Sequence, residues 1–294
     1  MAPRLLLGKP ASDHILDSLK KAIAGLVKKT KKRPGLAVIL VGNDPASQAY
    51  VGRKKKACEE IGIFSFDFHL EGTEGENRLI ELIDDLNKDE RVDGILLQLP
   101  LPKGYDEYRI LELISPQKDV DGFHPANVGK LLLGLPTFKS CTPAGICELL
   151  RFYNIPVEGR HVVIVGRSHI VGKPLGAMLI QKDPEANATV TLCHSRTENL
   201  AKITKQADIL VAAMGSPGFI TADMVKKGSV VIDVGINRVI SQEGISKLVG
   251  DVDFASVSKK AAAITPVPGG IGPMTIAMLM KNTVASFKTR VHIK

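Results

Sequence analysis

The sequence contains no tryptophan, and aromatic residues make up only 4% of its 294 positions. Aromatic side chains are the surfaces on which the bases of single-stranded nucleic acids stack, so few such surfaces are available. The net charge of +8 still leaves nucleic acid open as a partner. Because an excess of cations suits an anionic small substrate equally well, we predict a small-molecule substrate and no nucleic acid.

Cysteine is scarce, and the four cysteines are scattered without a C-x-x-C pair: Cys58, Cys141, Cys147 and Cys193. That spacing argues against a disulfide framework and against a zinc site. The seven histidines form no H-E-x-x-H pattern either. We therefore predict that the protein binds no metal.

Long apolar runs are absent, and none reaches the length that crosses a bilayer. The apolar run in the N-terminal stretch MAPRLLLGKPASDH is too short for a secretory signal. The sequence therefore predicts a cytoplasmic protein that has no membrane partner.

Shorter apolar runs alternate with amphipathic segments of helical length along nearly the whole chain. Predicted strands are 36–41, 64–68, 94–99, 162–165, 189–193, 209–213, 230–234 and 262–265. Predicted helices are 11–29, 45–61, 75–88, 142–152, 171–181, 198–206 and 274–288. This alternation of strands and helices indicates parallel sheets and an α/β fold.

The length of the chain allows two domains of ordinary size. The stretch GLPTFKS at 134–140 marks the boundary, which predicts one domain over 1–140 and a second over 141–273. The last helix, about 274–294, follows the turn sequence VPGGIGP and is expected to pack back on the first domain.

The stretch HVVIVGRSHIVG, residues 161–172, is a strand that ends in a glycine and opens into a helix. In this context the backbone N–H groups of a dinucleotide-binding protein meet the pyrophosphate. The letters depart from G-x-G-x-x-G, because Ser168 replaces the middle glycine and the last glycine comes one position late, at Gly172. An ordinary strand–helix turn is the alternative interpretation.

The second strand of this unit, 189–193, runs into His194-Ser195-Arg196 with no acidic residue before Glu198. An acid at this place holds the ribose 2′-hydroxyl of NAD, whereas an arginine suits the 2′-phosphate of NADP. Arg196, with help from Arg167, therefore favours NADP over NAD, although a solvated surface arginine remains the alternative. Ile236 follows another strand and would border the nicotinamide, unless it is a core residue.

The stretch YVGRKKKACEEI, residues 50–61, places four cations in a row on a predicted helix. At about 100° per residue, Lys54 falls on the apolar face, one turn from Tyr50, while the other three cations point outward. Outward Lys55 and Lys56 can pair with Glu59 and Glu60. For Lys54 two interpretations stand: an ammonium that reaches solvent along the core, or a lysine whose pKa is lowered by burial for proton transfer.

Three further places carry unusual polar or glycine residues. Gln98 stands near the end of an apolar strand, where a buried amide needs a partner such as a site lysine. Asp119 and Asp121 flank a glycine turn, and capping of that turn is the more natural role for Asp119 than for Asp121. In PGGIGPMT, residues 268–275, two glycines bring the backbone close to something before a helix starts, or allow bending at a domain boundary.

Taken in order, six segments resemble the bifunctional methylenetetrahydrofolate dehydrogenase/methenyltetrahydrofolate cyclohydrolase family, often called FolD. They are PASQAYVGRKKKACEEIGI, DGILLQLPLP, KDVDGFHPANVG, VVIVGRSHIVGKP, VVIDVGIN and TPVPGGIGPMT. The resemblance covers essentially the whole chain. It implies an N-terminal α/β folate-binding catalytic domain, a Rossmann-like NAD(P)-binding domain, a folate cleft between them, and a homodimer formed through the nucleotide domain.

The resemblance also implies a role for individual residues. It makes Lys54 the catalytic lysine, with Tyr50 against the aminobenzoyl ring of folate, Gln98 bonded to Lys54, and Asp121 on the pterin edge. The substrate-binding residues of the second domain would be Pro268, Gly269 and Gly270, and the NADP site would be lined by Gly166, Arg167, Ser168, Ser195, Arg196 and Ile236.

The implied function is oxidation of 5,10-methylenetetrahydrofolate with NADP⁺ to the methenyl form, followed by hydrolysis to 10-formyltetrahydrofolate. Outward lysines would attract the glutamate carboxylates of a polyglutamylated folate tail. Three alternatives remain: a monofunctional NAD(P)-dependent methylenetetrahydrofolate dehydrogenase, a dehydrogenase for another small metabolite, and a basic nucleic-acid-binding protein. Retention of Lys54, Gln98 and Asp121 argues against the first alternative, because hydride transfer needs no lysine for acid–base work.

Overall fold

The structure is a computed structural model that describes residues 2–240 and 246–293. Met1, residues 241–245 and Lys294, which the predicted domain ranges include, lie outside the described residues. The strands are β1 (Arg4–Leu5), β2 (Gly35–Val41), β3 (Phe64–Leu70), β4 (Gly94–Leu97), β5 (His161–Val165), β6 (Thr189–Cys193), β7 (Ile209–Ala212), β8 (Val230–Asp233), β9 (Asn237–Ile240), β10 (Ser246–Val249) and β11 (Ala263–Ile264). The helices are α1 (Gly8–Thr30), α2 (Pro45–Ile61), α3 (Glu76–Lys88), α4 (Glu107–Leu113), α5 (Pro125–Leu132), α6 (Cys141–Phe152), α7 (Gly172–Leu179), α8 (Leu200–Thr204), α9 (Phe254–Val257) and α10 (Ile271–Arg290).

Contacts divide the chain into two units, which we name by their main sheets. The three-stranded unit contains Asp13–Ser140 and the segment from Ile276 onward. The six-stranded unit contains Cys141–Thr275 and also the segment that ends at Ser12. The N-terminal segment thus differs from the predicted range 1–140, because β1 pairs in parallel with β11 and so extends the sheet of the second unit.

In the three-stranded unit, β2 lies between β3 and β4, and both pairings are parallel. All seven residues of β2, GLAVILV, are buried, which is the pattern expected for a strand covered on both faces. The last helix, α10, belongs to this unit from Ile276 onward, and its Phe287 is fully buried. The Arg290 guanidinium on α10 pairs with the buried Asp93 carboxylate, which precedes β4.

The six-stranded unit has a parallel sheet in the order β1-β11-β8-β7-β5-β6. From β5 the chain first adds β6 on one side and then β7 and β8 on the other. The order therefore reverses at β5, and ligands of open α/β sheets bind at the carboxyl ends of the strands beside such a point. The predicted α/β class with parallel sheets is confirmed.

None of the helices in the described ranges combines the length and the hydropathy that a bilayer-spanning segment needs.

Candidate functional site

Lys54 is held on the inner face of α2, as the helical periodicity predicts. The helix begins after Asp44, whose carboxylate accepts a hydrogen bond from the Ser47 backbone N–H at 2.7 Å. Only 6% of Lys54 is exposed, and its Nζ donates to Gln98 Oε1 at 3.0 Å. The same Nζ lies 5.2 Å from the centre of the Tyr50 ring. Three predicted site residues, Tyr50, Lys54 and Gln98, therefore meet at one place.

Hydrogen bonds other than the one to Lys54 fix the orientation of the Gln98 side chain. The Gln98 backbone N–H donates to the Ile39 carbonyl of β2 at 2.9 Å, which continues the β2–β4 ladder one residue beyond β4. Its side-chain Nε2 donates to the Leu99 carbonyl at 2.7 Å. Because the amide nitrogen is engaged in this way, the amide oxygen is directed at Lys54.

The two lysines that follow Lys54 on α2 form ion pairs at the surface, whereas Cys58 is buried. Lys56 pairs with Glu60 at 3.9 Å as predicted, but Lys55 pairs with Asp67 of β3 at 2.8 Å rather than with Glu59. The hydrogen bond to Asp67 raises the pKa of Lys55. Burial, together with the nearby carboxylates, raises the pKa of Cys58 to about 12, so this thiol is not a nucleophile at neutral pH.

The two aspartates of the 118–122 turn have different surroundings. Asp119 is 2% exposed and accepts hydrogen bonds from the backbone N–H groups of Phe123 at 3.1 Å and His124 at 2.8 Å. The capping role predicted for Asp119 is therefore confirmed. Asp121 is half-buried in the same turn, which lies alongside β4 through the bridge between Ile95 and Asp119. The turn that contains Asp121 therefore lies beside the strand that precedes Gln98.

In the six-stranded unit, the turn after β5 passes close to the backbone that follows β7. Gly166 has a φ of 141°, and a Cβ at this position would collide with the Ala213 carbonyl oxygen. Ser168 occupies the place of the middle glycine and accepts hydrogen bonds at its Oγ from the N–H groups of Val171 at 3.1 Å and Gly172 at 3.4 Å. Ser168 thus satisfies two N–H groups at the start of α7.

The residues predicted to select the nucleotide lie at the same edge of the sheet. Val165 and Cys193 are partners in the β5–β6 register, so the segments that follow the two strands begin at the same level. The side chains of Arg167, Ser195 and Arg196 are exposed there. A glycine turn against the sheet and two exposed guanidinium groups fit a dinucleotide that carries a 2′-phosphate.

Ile236 follows β8 and is 55% exposed, which rules out the core interpretation of this residue. The glycines of the 268–275 segment make a close backbone approach, as predicted, and one partner is the N-terminal segment of the same unit. The Gly8 backbone N–H donates to the Gly269 carbonyl at 2.8 Å, and a Cβ on Gly8 would collide with the Gly270 carbonyl oxygen. The close approach is therefore made at least in part by the chain itself. Gly269 has a φ of 103°, which favours glycine.

In the six-stranded unit, two buried carboxylates were missed by the sequence reasoning, Asp233 at the end of β8 and Asp251 after β10. They are 4% and 0% exposed. Burial raises the pKa of Asp233 to about 6, and the charge of Asp251 acts in the same direction, while backbone N–H donors oppose them. An aspartate at the end of an apolar strand was the available signal, since a buried charge needs several partners.

We expect the stability of the protein to report on the Asp233 carboxyl. An acid whose pKa is higher in the folded state stabilises the fold below its unfolded value of 3.8, and loses that contribution as pH rises through about 6. In Asp233→Asn this dependence is absent. The destabilisation caused by the substitution should therefore be larger at pH 4 than at pH 7 by about 2 kcal/mol. Denaturant unfolding at both pH values measures the difference, and an equal loss at both would contradict it.

Comparison with known proteins gives matches over nearly all of the chain. The model of the tetrahydrofolate dehydrogenase/cyclohydrolase catalytic domain matches residues 6–121, and that of the NAD(P)-binding domain matches residues 140–291. The bifunctional protein FolD of Maridesulfovibrio salexigens is 58% identical over 288 residues, which are 98% of this chain and 99% of the relative.

Solved structures agree with these matches. The bifunctional FolD enzyme of Campylobacter jejuni is 51% identical, with a TM-score of 0.92 over 98% of this chain and 100% of that one. The Trypanosoma brucei FolD, solved with NADP and an inhibitor, is 37% identical, with a TM-score of 0.93 over 99% of each chain. The resemblance found in the sequence is confirmed, and the chain belongs to the tetrahydrofolate dehydrogenase/cyclohydrolase family.

Proposed function

We propose that the protein oxidises 5,10-methylenetetrahydrofolate to 5,10-methenyltetrahydrofolate with NADP⁺ and hydrolyses the product to 10-formyltetrahydrofolate. The observation that carries the proposal is the buried Lys54 beside an oriented Gln98 oxygen in a chain of this family. Hydride transfer alone requires no general acid or base, so it does not explain a buried lysine, whereas the hydrolysis requires proton transfers.

Residues of the six-stranded unit would hold the dinucleotide. The Gly166 turn and Ser168 would approach the pyrophosphate, Arg167, Ser195 and Arg196 would hold the 2′-phosphate end, and Ile236 would border the nicotinamide. NADP⁺, when bound, supplies the acceptor for the hydride. The chain contributes orientation and the exclusion of water, which are its usual contributions to cofactor chemistry.

Lys54 would serve the hydrolytic step. Water adds to the methenyl carbon and loses a proton, which gives a neutral hydroxyl adduct. The bond from that carbon to one ring nitrogen then breaks as this nitrogen gains a proton, and the hydroxyl proton leaves to solvent as the formyl C=O forms, so one proton is released overall. A neutral Lys54 amine accepts the proton from water, and the resulting ammonium donates a proton to the ring nitrogen. Gln98 Oε1, 3.0 Å from Lys54 Nζ, keeps the amine in place through both transfers.

The other substrate contacts are inferred from the family resemblance. Tyr50 would lie against the aminobenzoyl ring, and Asp121 would accept hydrogen bonds from the pterin. Pro268, Gly269 and Gly270 would contribute contacts from the six-stranded unit. The substrate would include polyglutamylated folates, the enzyme would act in the cytoplasm, and we propose a homodimer through the nucleotide-binding unit, which light scattering of the purified protein tests.

An assay with two signals tests the proposal. The enzyme receives 5,10-methylenetetrahydrofolate with NADP⁺ or NAD⁺, while reduced nicotinamide and the methenyl form are followed together and 10-formyltetrahydrofolate is measured at the end. We expect faster reduction of NADP⁺ and formyl product above the non-enzymatic rate. Methenyl product that disappears only spontaneously would instead indicate a monofunctional dehydrogenase. Absence of reduction with either cofactor would refute the proposal.

The choice of NADP has a separate test in Arg196→Ala. Loss of a charged, bidentate contact with the 2′-phosphate should raise KM for NADP⁺ roughly 10- to 100-fold. KM for NAD⁺ should change little, because NAD⁺ carries no 2′-phosphate. Steady-state kinetics with both cofactors measure this, and Lys205→Ala serves as a control for the loss of a cation in the same unit. Equal effects on both cofactors would remove the assigned role.

A further inference from the structure

We propose that Asp251 is a positioning residue, whose buried carboxylate fixes two loops at the nicotinamide end of the dinucleotide site and thereby supports hydride transfer. The inference rests on the proposed function, since it presupposes a dehydrogenase in which Ile236 borders the nicotinamide. It concerns a residue that does not itself touch the cofactor.

The first loop follows β7. Asp251 Oδ2 accepts hydrogen bonds from the backbone N–H groups of Met214 at 2.7 Å and Gly215 at 2.9 Å, and Oδ1 accepts one from Ser216 at 2.8 Å. Three successive backbone N–H groups that point at the same group form an anion-binding concavity. Here the chain fills that concavity with its own carboxylate. The loop is therefore held in one shape and is not available for a phosphate of the cofactor.

The second loop follows β8 and carries Ile236. The Asn237 side chain, next in sequence, donates from Nδ2 to Asp251 Oδ1 at 2.9 Å. On the other side of Ile236, a Cβ added to Gly235 would collide with the Asp251 carboxylate. The residues before and after Ile236 are thus both in contact with Asp251. One carboxylate fixes the 214–216 loop and the loop that presents Ile236.

Asp251 is itself held by Asp233. The backbone N–H groups of Asp251 and Val252 donate to the two oxygens of Asp233, at 2.9 Å and 3.0 Å. Gly235 N–H donates to Asp233 Oδ1 at 3.0 Å. The two aspartates therefore form a chain of contacts from the end of β8 to both loops. Asp233 holds the backbone of Asp251 in place, and the Asp251 carboxylate in turn holds the two loops.

The hydrogen-bonding capacity of Asp251 explains why a carboxylate is needed. Each oxygen accepts two of the four hydrogen bonds, so both sides of the group must be acceptors. An asparagine has an N–H donor on one side, whichever way the amide is turned. Two of the four N–H groups would then face another donor, either those of Met214 and Gly215 or those of Ser216 and Asn237, so at least one loop would lose its position.

The test is Asp251→Asn, assayed separately for the two activities of the same protein. The cyclohydrolase step is measured on 5,10-methenyltetrahydrofolate without nucleotide, and the dehydrogenase step with NADP⁺. We expect the dehydrogenase kcat/KM to fall roughly 10- to 100-fold, as loss of positioning typically does. The cyclohydrolase rate should stay within about twofold of the wild-type rate, because Lys54 and Gln98 belong to the other unit.

A binding measurement separates loop position from general damage. Adenosine 2′,5′-bisphosphate contains the adenosine and 2′-phosphate end of NADP but no nicotinamide. Calorimetry should give the same affinity for this probe in the wild type and in Asp251→Asn, while NADP⁺ binds the variant more weakly. Asn237→Ala, which removes only the contact beside Ile236, should give the same pattern with a smaller effect, and exposed Asp223→Asn is the control.

Two results would overturn the inference. One is an unchanged dehydrogenase kcat/KM in Asp251→Asn. The other is a parallel loss of cyclohydrolase activity, NADP⁺ affinity and bisphosphate affinity, which would make the aspartate a purely structural residue. A failure of the proposed function would look different, because the wild-type protein itself would then lack one or both activities.

Discussion

Replacement of Lys54 by methionine should abolish most of the ring opening and spare most of the hydride transfer. Methionine has a similar length and an apolar end, so it fits the buried position but cannot carry a proton. Loss of a general acid–base group lowers a rate by roughly 10²- to 10⁴-fold, and we expect a loss in this range for the cyclohydrolase step. The dehydrogenase rate should fall by less than about tenfold, since the cofactor accepts the hydride without help from an acid or base. The methenyl form should accumulate and decay only at its spontaneous rate.

The matched control is Lys56→Met, which makes the same chemical change two residues later on α2. The Lys56 side chain is 77% exposed and its ion pair with Glu60 is long, so both activities should remain near the wild-type level. The assignment of Lys54 would be wrong if Lys54→Met opened the ring as fast as the wild type. Equal losses in both activities would show that Lys54 holds the substrate rather than moving protons.

Replacement of Gly166 by alanine should have the opposite effect to Lys54→Met: the dehydrogenase activity should be lost and the cyclohydrolase activity kept. Its φ of 141° is a conformation that L-residues rarely adopt, and the new Cβ would collide with the Ala213 backbone oxygen. The strand–helix turn must therefore shift. A displacement of about 1 Å at a binding loop can cost roughly 100-fold, which is the loss expected in kcat/KM for NADP⁺. The cyclohydrolase rate without nucleotide should change little.

Gly176→Ala provides the control within the same unit. A Cβ on Gly176 of α7 would lie 3.5 Å from its nearest neighbour, Leu192 Cδ1, which is an ordinary contact distance. In a helix, alanine is also favoured over glycine. Gly176→Ala should therefore keep both activities and unfold at the same or a slightly higher temperature. A Gly166→Ala enzyme with normal NADP⁺ kinetics would contradict the proposed position of the cofactor.

Most of the regular structure was predictable because it follows from hydrophobic periodicity. The bounds of α2 and β6 agree with the predicted segments 45–61 and 189–193, and the other predicted strands differ from the structure by one or two residues at their ends. The missed elements are short or atypical. β1 has only two residues, which give no periodicity, and its partner β11 is far away in sequence. Helices α4 and α5 are only seven and eight residues long, and no helix was predicted over these residues.

The candidate site shows the same division between local and long-range information. Lys54 was found because one helix contains the apolar face on which it lies, and Gln98 because an amide in an apolar strand is unusual. Asp251 gives no such signal, since the backbone N–H groups that donate hydrogen bonds to its carboxylate belong to residues about 35 positions earlier. Its role depends on the register of β7 and β8, which the sequence does not specify locally. Asp233 lay within a predicted strand, but its backbone partners could not be identified.

The way in which the chain passes between the units constrains the order in which the protein can fold during its synthesis. Strand β1 emerges from the ribosome first, yet its partner β11 is made only near the end. The three-stranded unit also waits for α10, whose Phe287 fills its core. Domains usually fold in turn as they are translated. In this protein neither unit is complete until nearly the whole chain has been released, so a nascent chain that ends at Ser140 would leave both units unfinished and depend on protection from aggregation.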